Sequence, residues 1–199
     1  GLIRSGDELR TFEGILSGSL SMIFGLLQDG IPLSEAVARA MELGYTEPDP
    51  RDDLSGMDVA RKLLIIAREV GLQLELEDIK VEPVVPLDVV SHVDRSELIP
   101  ALQTLNESFA ARIESAEAEG KVLRYVARLE DGGCLVSIEA VALNKPLGAI
   151  RDGENALVIH TQYYQPIPMV LRGYGAGAAV TAAGVFGDLL KTVWRPLDN

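Results

Sequence analysis

Apolar and polar residues along the chain change from a helical to an alternating spacing and back again. Residues 13–29 (EGILSGSLSMIFGLLQD) are mostly apolar and predict a helix that Gly30-Ile31-Pro32 ends. Residues 57–70 show the 3.6-residue spacing of one helical face, which predicts another helix. The apolar positions of that face are Val59, Leu63, Ile66 and Val70.

Three more helices are predicted around these segments. In residues 33–44 (LSEAVARAMELG), Ser34 is the expected N-cap and Gly44 the expected stop. Residues 95–105 and 106–118 also have helical patterns.

The second half of the chain alternates and predicts strands. Residues 121–143 (KVLRYVARLEDGGCLVSIEAVAL) read as a β-hairpin with Asp131-Gly132-Gly133 at its turn. Residues 156–164 and 168–174 predict two further strands, and residues 175–194 predict an amphipathic C-terminal helix. Helices followed by strands and a last helix indicate the α+β class.

Composition and charge restrict the possible partners. The chain has 199 residues, 47% of them hydrophobic and 24% charged, which suits one large domain or a piece of a larger protein. A net charge of -12 argues against nucleic acid and anionic membranes, whose phosphates would repel it. No apolar run approaches the ~20 residues that span a bilayer. The chain begins with Gly1-Leu2-Ile3 rather than Met, which favours a fragment or a processed product.

The sequence pattern indicates no catalytic or metal-binding role for the histidines or the cysteine. Cys134 is the only cysteine, so an internal disulfide is excluded, and a reducing, cytoplasmic location is expected. It begins a predicted strand and is interpreted as a packing residue. His92 and His160 have no partner at a suitable spacing and are interpreted as structural or surface residues.

Residues 44–62 (GYTEPDPRDDLSGMDVARK) form an unusually acidic segment. Its spacing does not match the EF-hand calcium loop, and a looser carboxylate cation site stays open as an alternative. A purely structural explanation is also available. Ser55 and Asp58 have the spacing of a capping box, and Asp58 with Lys62 forms an i,i+4 ion pair of roughly 0.3–0.5 kcal/mol.

A functional explanation uses the same residues. Asp58 and Lys62 lie on one predicted helix face beside the apolar stripe. A partly desolvated lysine held by a carboxylate exchanges a proton with a bound oxygen. Glu47 and Asp53 would lie nearby, and paired carboxylates bind an ammonium group. The segment therefore suits a small amino-acid-like substrate with an oxygen that changes its protonation.

Three segments carry a resemblance to a known family. Residues 44–69 (GYTEPDPRDDLSGMDVARKLLIIARE), 14–27 (GILSGSLSMIFGLL) and 163–190 (YYQPIPMVLRGYGAGAAVTAAGVFGDLL) resemble homoserine dehydrogenase. They are most similar to the dehydrogenase half of bifunctional aspartokinase–homoserine dehydrogenases. The resemblance implies an oxidoreductase that interconverts L-aspartate 4-semialdehyde and L-homoserine with NADP or NAD, in threonine and methionine biosynthesis.

The resemblance also implies residue roles. Lys62 resembles the lysine that donates a proton to the aldehyde oxygen, and Asp58 resembles the aspartate beside it. Glu47 resembles the glutamate that binds the substrate's amino group. Asp53 and the backbone of Gly44-Tyr45-Thr46 would shape the substrate pocket.

Small residues are the remaining site candidates. Gly18 and Ser19 resemble the family's Gly-Thr pair near substrate and nicotinamide, with Ser in place of Thr. Gly177 resembles a glycine that approaches the cofactor. In each case tight packing is the alternative, and the GAG around Gly177 is not a Rossmann fingerprint. No metal ligand is assigned.

The family's fold gives expectations for the whole chain. It implies a mixed or antiparallel β-sheet with helices packed on one face, without the N-terminal Rossmann half. Residues 1–199 would form the substrate-binding, catalytic and dimerisation domain, with a homodimer through the strands of residues 122–142 and 156–172. The last helix, about 176–195, would pack on the nucleotide-binding domain. The alternative is that the isolated fragment is a catalytically inactive substrate-binding and oligomerisation module.

Overall fold

A computed structural model describes residues 5–193, which contain one six-stranded sheet. The strands are β1 (Leu9–Ile15), β2 (Lys80–Val81), β3 (Lys121–Glu130), β4 (Gly133–Ala142), β5 (Glu154–Thr161) and β6 (Met169–Tyr174). Their order across the sheet is β2-β4-β3-β1-β5-β6. The β2–β4 pair is parallel and the other neighbours are antiparallel, so the sheet is mixed.

Among residues 5–193, seven α-helices cover one face of this sheet, and an eighth buries none of its side chains. They are α1 (Gly18–Gln28), α2 (Leu33–Glu42), α3 (Pro50–Leu54), α4 (Met57–Glu69), α5 (Leu87–Val90), α6 (Leu98–Gln103), α7 (Asn106–Ala118) and α8 (Ala178–Val193). Each of α1 to α7 contributes side chains to the main hydrophobic core. The expected α+β class, with a mixed sheet and helices on one face, is confirmed.

The alternation of β3 places side chains on both faces of the sheet. Leu123, Tyr125 and Leu129 point into the main core under the helices. Val126 points to the opposite face, where it joins a smaller cluster with Ile15 from β1. Residues 146–150 cover that second cluster, which makes the central strands two-sided and explains their high apolar content.

The prediction of a helix from residue 13 is wrong at its start. Glu13 to Ile15 belong to β1, which lies between β3 and β5 and pairs with both. Glu13 forms a 2.6 Å ion pair with Arg128 of β3. The helix begins at Gly18, because the Ser17 hydroxyl accepts the backbone N–H of Leu20 as an N-cap.

The predicted Ser34 cap of α2 is also wrong. Pro32 is the N-cap, and Ser34 lies inside the helix. There it is buried and exchanges hydrogen bonds with Asn106 at the start of α7, at 3.0 and 3.1 Å. The predicted stop is confirmed, because α2 ends before Gly44, which has a φ of 72°.

The hairpin and the later elements follow the sequence pattern closely. Asp131 and Gly132 turn the chain with φ values of 50° and 75°, and β3 and β4 pair along their full length. The helix predicted over residues 57–70 is α4, with Val59 and Leu63 buried. The two further predicted strands are β5 and β6.

Helix α8 buries none of its side chains. Its exposed apolar residues are Val180, Val185, Phe186, Leu189, Leu190 and Val193. Among residues 5–193, neither this helix nor any other is long and apolar enough to cross a membrane. The last part of the predicted helix, residues 194–195, lies outside the described residues.

Candidate active site

A cavity of about 400 Å³ lies where the start of α1, the acidic segment and the ends of β5 and β6 meet. Its lining residues are Ser17, Gly18, Ser19, Leu43, Gly44, Tyr45, Glu47, Asp53, Asp58, Lys62, Gly153, Tyr174, Ala176 and Gly177. The cavity thus brings together every site residue expected from the sequence except Thr46, which does not line it.

Lys62 has two partners at one end of the cavity. Its Nζ lies 2.7 Å from Asp58 Oδ2 and donates a 2.9 Å hydrogen bond to the carbonyl of Leu16. The Lys62 and Asp58 side chains are 47% and 59% exposed, so their pair contributes only about 0.3–0.5 kcal/mol to stability. The two partners fix the position of the ammonium group while leaving it accessible.

The expected capping box at the start of α4 is not formed. Gly56, with a φ of 75°, is the N-cap and supplies no side-chain hydrogen bond. Ser55 instead ends α3, where its hydroxyl donates to the Asp52 carbonyl and accepts the Met57 N–H. Asp58 is therefore not used as a capping residue, and its carboxylate is available to Lys62.

Asp53 links the acidic segment to the start of α1. One carboxylate oxygen accepts the Ser19 hydroxyl at 2.5 Å, and the other accepts the Glu47 N–H at 2.9 Å. Ser19 in turn shares a 2.8 Å hydrogen bond with the Ser17 hydroxyl. Burial raises the pKa of Asp53, although the bonds from Ser19 and Glu47 act in the opposite direction.

The charge of the cavity favours a cationic group. Three carboxylates, Glu47, Asp53 and Asp58, line it beside one lysine, Lys62, which leaves a formal local charge of 1 − 3 = −2. Within residues 5–193, the Glu47 carboxylate has no hydrogen-bonding partner, whereas the other two carboxylates do. Glu47 is therefore the carboxylate that remains available to an ammonium group.

The glycines of the cavity differ in their surroundings. A Cβ on Gly18 would lie 3.1 Å from the carbonyl oxygen of Gly153, so close packing accounts for this residue. Gly177 has a φ of 114° and nothing within 4 Å of its Cβ position. Close packing therefore does not account for a glycine at residue 177, whereas its left-handed backbone conformation does.

Sequence reasoning did not single out Ser17, Gly153 or Tyr174 as site residues. Ser17 had a usable signal, because a serine before an apolar run is a helix N-cap. Gly153 follows Asp152, and an Asp-Gly pair before an alternating run marks a turn. Tyr174 ends β6 and had no local signal.

The residues set aside in the sequence lie outside the cavity lining. Cys134 is buried in the main core, and burial raises the pKa of its thiol, which confirms its packing role. His92 is exposed and His160 is half-buried on β5. Residues 5–193 contain no group of three His, Cys, Asp or Glu side chains placed to hold a metal ion.

Comparisons with known proteins identify a family for this chain. A family model described as homoserine dehydrogenase matches residues 1–190. A bifunctional aspartokinase/homoserine dehydrogenase of Haemophilus influenzae is 60% identical over 192 residues, covering 96% of this chain and 24% of the relative. A homoserine dehydrogenase of Paracoccidioides brasiliensis is 38% identical over 205 residues, covering 98% of this chain and 55% of the relative.

A solved structure shares the fold of this chain. A Candida auris protein described as of unknown function superposes with a TM-score of 0.90 at 38% identity, covering 98% of this chain and 56% of that one. The chain thus spans about a quarter of the bifunctional relative and about half of the other two proteins. On the family match and these identities, the chain belongs to the homoserine dehydrogenase family.

Proposed function

We propose that this chain is the substrate-binding and catalytic part of an oxidoreductase that interconverts L-aspartate 4-semialdehyde and L-homoserine. The observation that carries the proposal is the position of Lys62, held by Asp58 and the Leu16 carbonyl at a cavity that Glu47 also lines. Family membership supports the same chemistry. We also propose that this reaction serves threonine and methionine biosynthesis.

Lys62 is the proton donor in the direction of aldehyde reduction. A bound nicotinamide cofactor would supply the hydride as NADPH or NADH, and would accept it as NADP or NAD in the reverse direction. The Lys62 ammonium would give a proton to the aldehyde oxygen as negative charge develops on that oxygen. In the reverse direction neutral Lys62 removes the hydroxyl proton of homoserine. Asp58 orients the Lys62 amine through their 2.7 Å ion pair.

The carboxylates of the cavity hold the substrate's amino end. Glu47 accepts hydrogen bonds from the ammonium group. Asp53 shapes the pocket through its bonds to Ser19 and to the Glu47 N–H, with the backbone of Gly44-Tyr45-Thr46 beside it. A zwitterion of this size fits a cavity of about 400 Å³.

Ser19 and Gly177 form the side of the cavity that would face the nicotinamide. The fit of Gly177 is favourable, because open space surrounds its Cβ position and its backbone is accessible. Most of the cofactor site would lie on a separate nucleotide-binding domain of a longer protein. The uncovered apolar side of α8 suits a contact with that domain.

We also propose that residues 1–199 form one functional domain that dimerises through its sheet. The candidate surface is the sheet face opposite α1 to α7. Leu135 of β4 and Val170 of β6 are exposed at 37% and 41%, which suits a contact between two sheets.

A second possibility concerns the chain in isolation, as a binding and oligomerisation module without catalysis. The observation that favours it is that Ser19 and Gly177 offer a nicotinamide only a short contact surface. We expect the purified chain of residues 1–199 to show no homoserine-dependent reduction of NADP or NAD. Measurable turnover by the pure chain would contradict this expectation.

The whole proposal is tested on the full-length protein that carries this chain. Homoserine-dependent formation of NADPH or NADH, followed at 340 nm, is the expected result. A folded full-length protein that oxidises homoserine with neither nucleotide would overturn the proposed function.

A further inference from the structure

The turn before β5 forms part of the cavity wall without contributing a side chain. Asp152 and Gly153 have φ values of 58° and 84°, in the left-handed region. Gly153 is buried and lines the cavity. Its backbone therefore lies at the site in a conformation that favours glycine.

Gly153 lies directly against the ring of Tyr45. A Cβ added to Gly153 would lie 2.3 Å from Tyr45 Cε1 and 3.1 Å from Cζ, far inside van der Waals contact. On its other side, the Gly153 carbonyl approaches the Cβ position of Gly18 to 3.1 Å. The turn is thus enclosed between the first residue of α1 and the Tyr45 ring.

The turn has little freedom to move away from the ring. Arg151 forms an ion pair with Asp29 at the end of α1, with one N–H···O distance of 3.1 Å. Arg124, which is 1% exposed, donates to the Gly148 carbonyl at 2.8 Å and to Gln28 Oε1 at 2.7 Å. Both arginines fasten the 148–153 segment to the end of α1.

A hydrogen bond fixes the backbone of Tyr45, whereas none holds its ring. Its N–H donates to the Ala40 carbonyl at the end of α2. The side chain is 38% exposed, and within residues 5–193 its hydroxyl makes no hydrogen bond. The close approach of Gly153 is therefore a packing constraint on the position of the ring that no hydrogen bond of the hydroxyl supplies.

We propose that Gly153 is a positioning residue of the active site, whose missing side chain seats the Tyr45 ring as a wall of the substrate cavity. The inference rests on the proposed function. A methyl group at residue 153 displaces the ring and changes how the cavity holds homoserine. Lys62 and its two partners lie on α4 and at Leu16, so the proton transfer itself is affected less.

The test compares Gly153→Ala with a matched control in the full-length protein. Gly30→Ala is the control, because Gly30 has a φ of 80° and nothing within 4 Å of its Cβ position. Both variants carry the same backbone strain, and only Gly153→Ala meets Tyr45. We expect Gly153→Ala to raise KM for homoserine by about 10-fold or more, with kcat changed much less, and Gly30→Ala to leave KM unchanged.

Removal of the ring separates the contact from a general folding effect. The double variant Tyr45→Ala/Gly153→Ala should have the same KM for homoserine as Tyr45→Ala alone. Relative to Tyr45→Ala, its Tm should fall by no more than Gly30→Ala lowers the Tm of the wild type. If Gly153→Ala fails to fold, the double variant should fold again. Equal KM values for the two single glycine variants, additive effects in the double variant, or a double variant that stays unfolded would each overturn the inference.

The proposed function and this inference fail in different ways. If the wild-type protein oxidises no homoserine, the proposed function is wrong. The coupling of Tm between residues 45 and 153 still decides whether Gly153 seats the ring. If the wild-type protein is active and the coupling is absent, only the inference is wrong.

Discussion

Replacement of Lys62 by alanine distinguishes a catalytic role of this lysine from a purely structural role in an ion pair on the helix. Its Nζ has two partners, Asp58 and the Leu16 carbonyl, and the side chain is 47% exposed. The loss of this half-exposed pair costs about 0.3–0.5 kcal/mol, and that shifts Tm by at most about 2 °C in a domain of this size. Loss of a general acid–base group lowers kcat by about 10²- to 10⁴-fold, or roughly 3–5 kcal/mol of transition-state stabilisation.

The assay is homoserine-dependent NADPH or NADH formation by the full-length protein, with Tm measured on the same samples. Lys121→Ala is a matched control, because Lys121 is 38% exposed and forms a 2.6 Å ion pair with Glu119 away from the cavity. We expect the control to keep wild-type kcat, and Lys62→Ala to lose at least 100-fold in kcat while its Tm stays within about 2 °C of the wild-type value. If both variants keep the wild-type rate, Lys62 is only a partner of Asp58, and the proton is transferred by another group.

Three more changes have expected outcomes. Glu47→Gln should raise KM for homoserine about 10-fold or more with little change in Tm, because the carboxylate has no partner to lose within residues 5–193; an unchanged KM would contradict its role. Asp53→Asn should cost about 1–3 kcal/mol in denaturant unfolding, since the Glu47 N–H or the Ser19 hydroxyl loses its acceptor. The raised pKa of Asp53 means that its stabilising effect is complete below the unfolded pKa and declines as pH rises through the folded pKa, so the cost should be larger near pH 3.8, the ordinary value of this carboxyl, than at pH 7.5; the opposite trend would refute the assignment. Gly56→Ala should destabilise the fold by about 3 kcal/mol or more, because the new Cβ would lie 1.9 Å from the Tyr125 hydroxyl at a φ of 75°, and Tyr125→Phe should recover part of that loss in urea unfolding.

The sequence predicts the fold well where the spacing of apolar residues is unambiguous. The β3–β4 hairpin and α4 have patterns of ten or more residues, and both form as expected. The error at residues 13–17 arises because Gly14 and Ile15 at the end of β1 run through Leu16 directly into the apolar residues of α1. The end of such a strand looks like the first turn of a buried helix, and only the pairing of β1 with β3 and β5 distinguishes the two structures.

The composition of the site follows from the sequence, but its hydrogen bonds do not. The family resemblance and the acidic segment identify the residues around Lys62, which the cavity brings together. The Leu16 carbonyl and the Gly153 backbone have no signature in a side-chain pattern, because both act through main-chain atoms distant in sequence. Tertiary contacts of this kind are visible only in the folded chain.

The crowding of carboxylates in the acidic segment now has a physical explanation. Asp49 caps α3 and pairs with Arg51, whose hydrogen bond lowers the pKa of that carboxyl. Asp53 ties the segment to Ser19, and Asp58 holds Lys62.

Each of these three carboxylates therefore has a partner within the chain, and their repulsion is offset locally. Glu47 remains without a partner among the described residues, on the wall of a cavity with a formal charge of −2. An ammonium group bound in the cavity would give Glu47 a partner as well, because the described part of the chain places no cation beside it. On the proposed function, Asp49, Asp53 and Asp58 brace the acidic segment around Glu47, the one carboxylate lining the cavity that has no partner among the described residues.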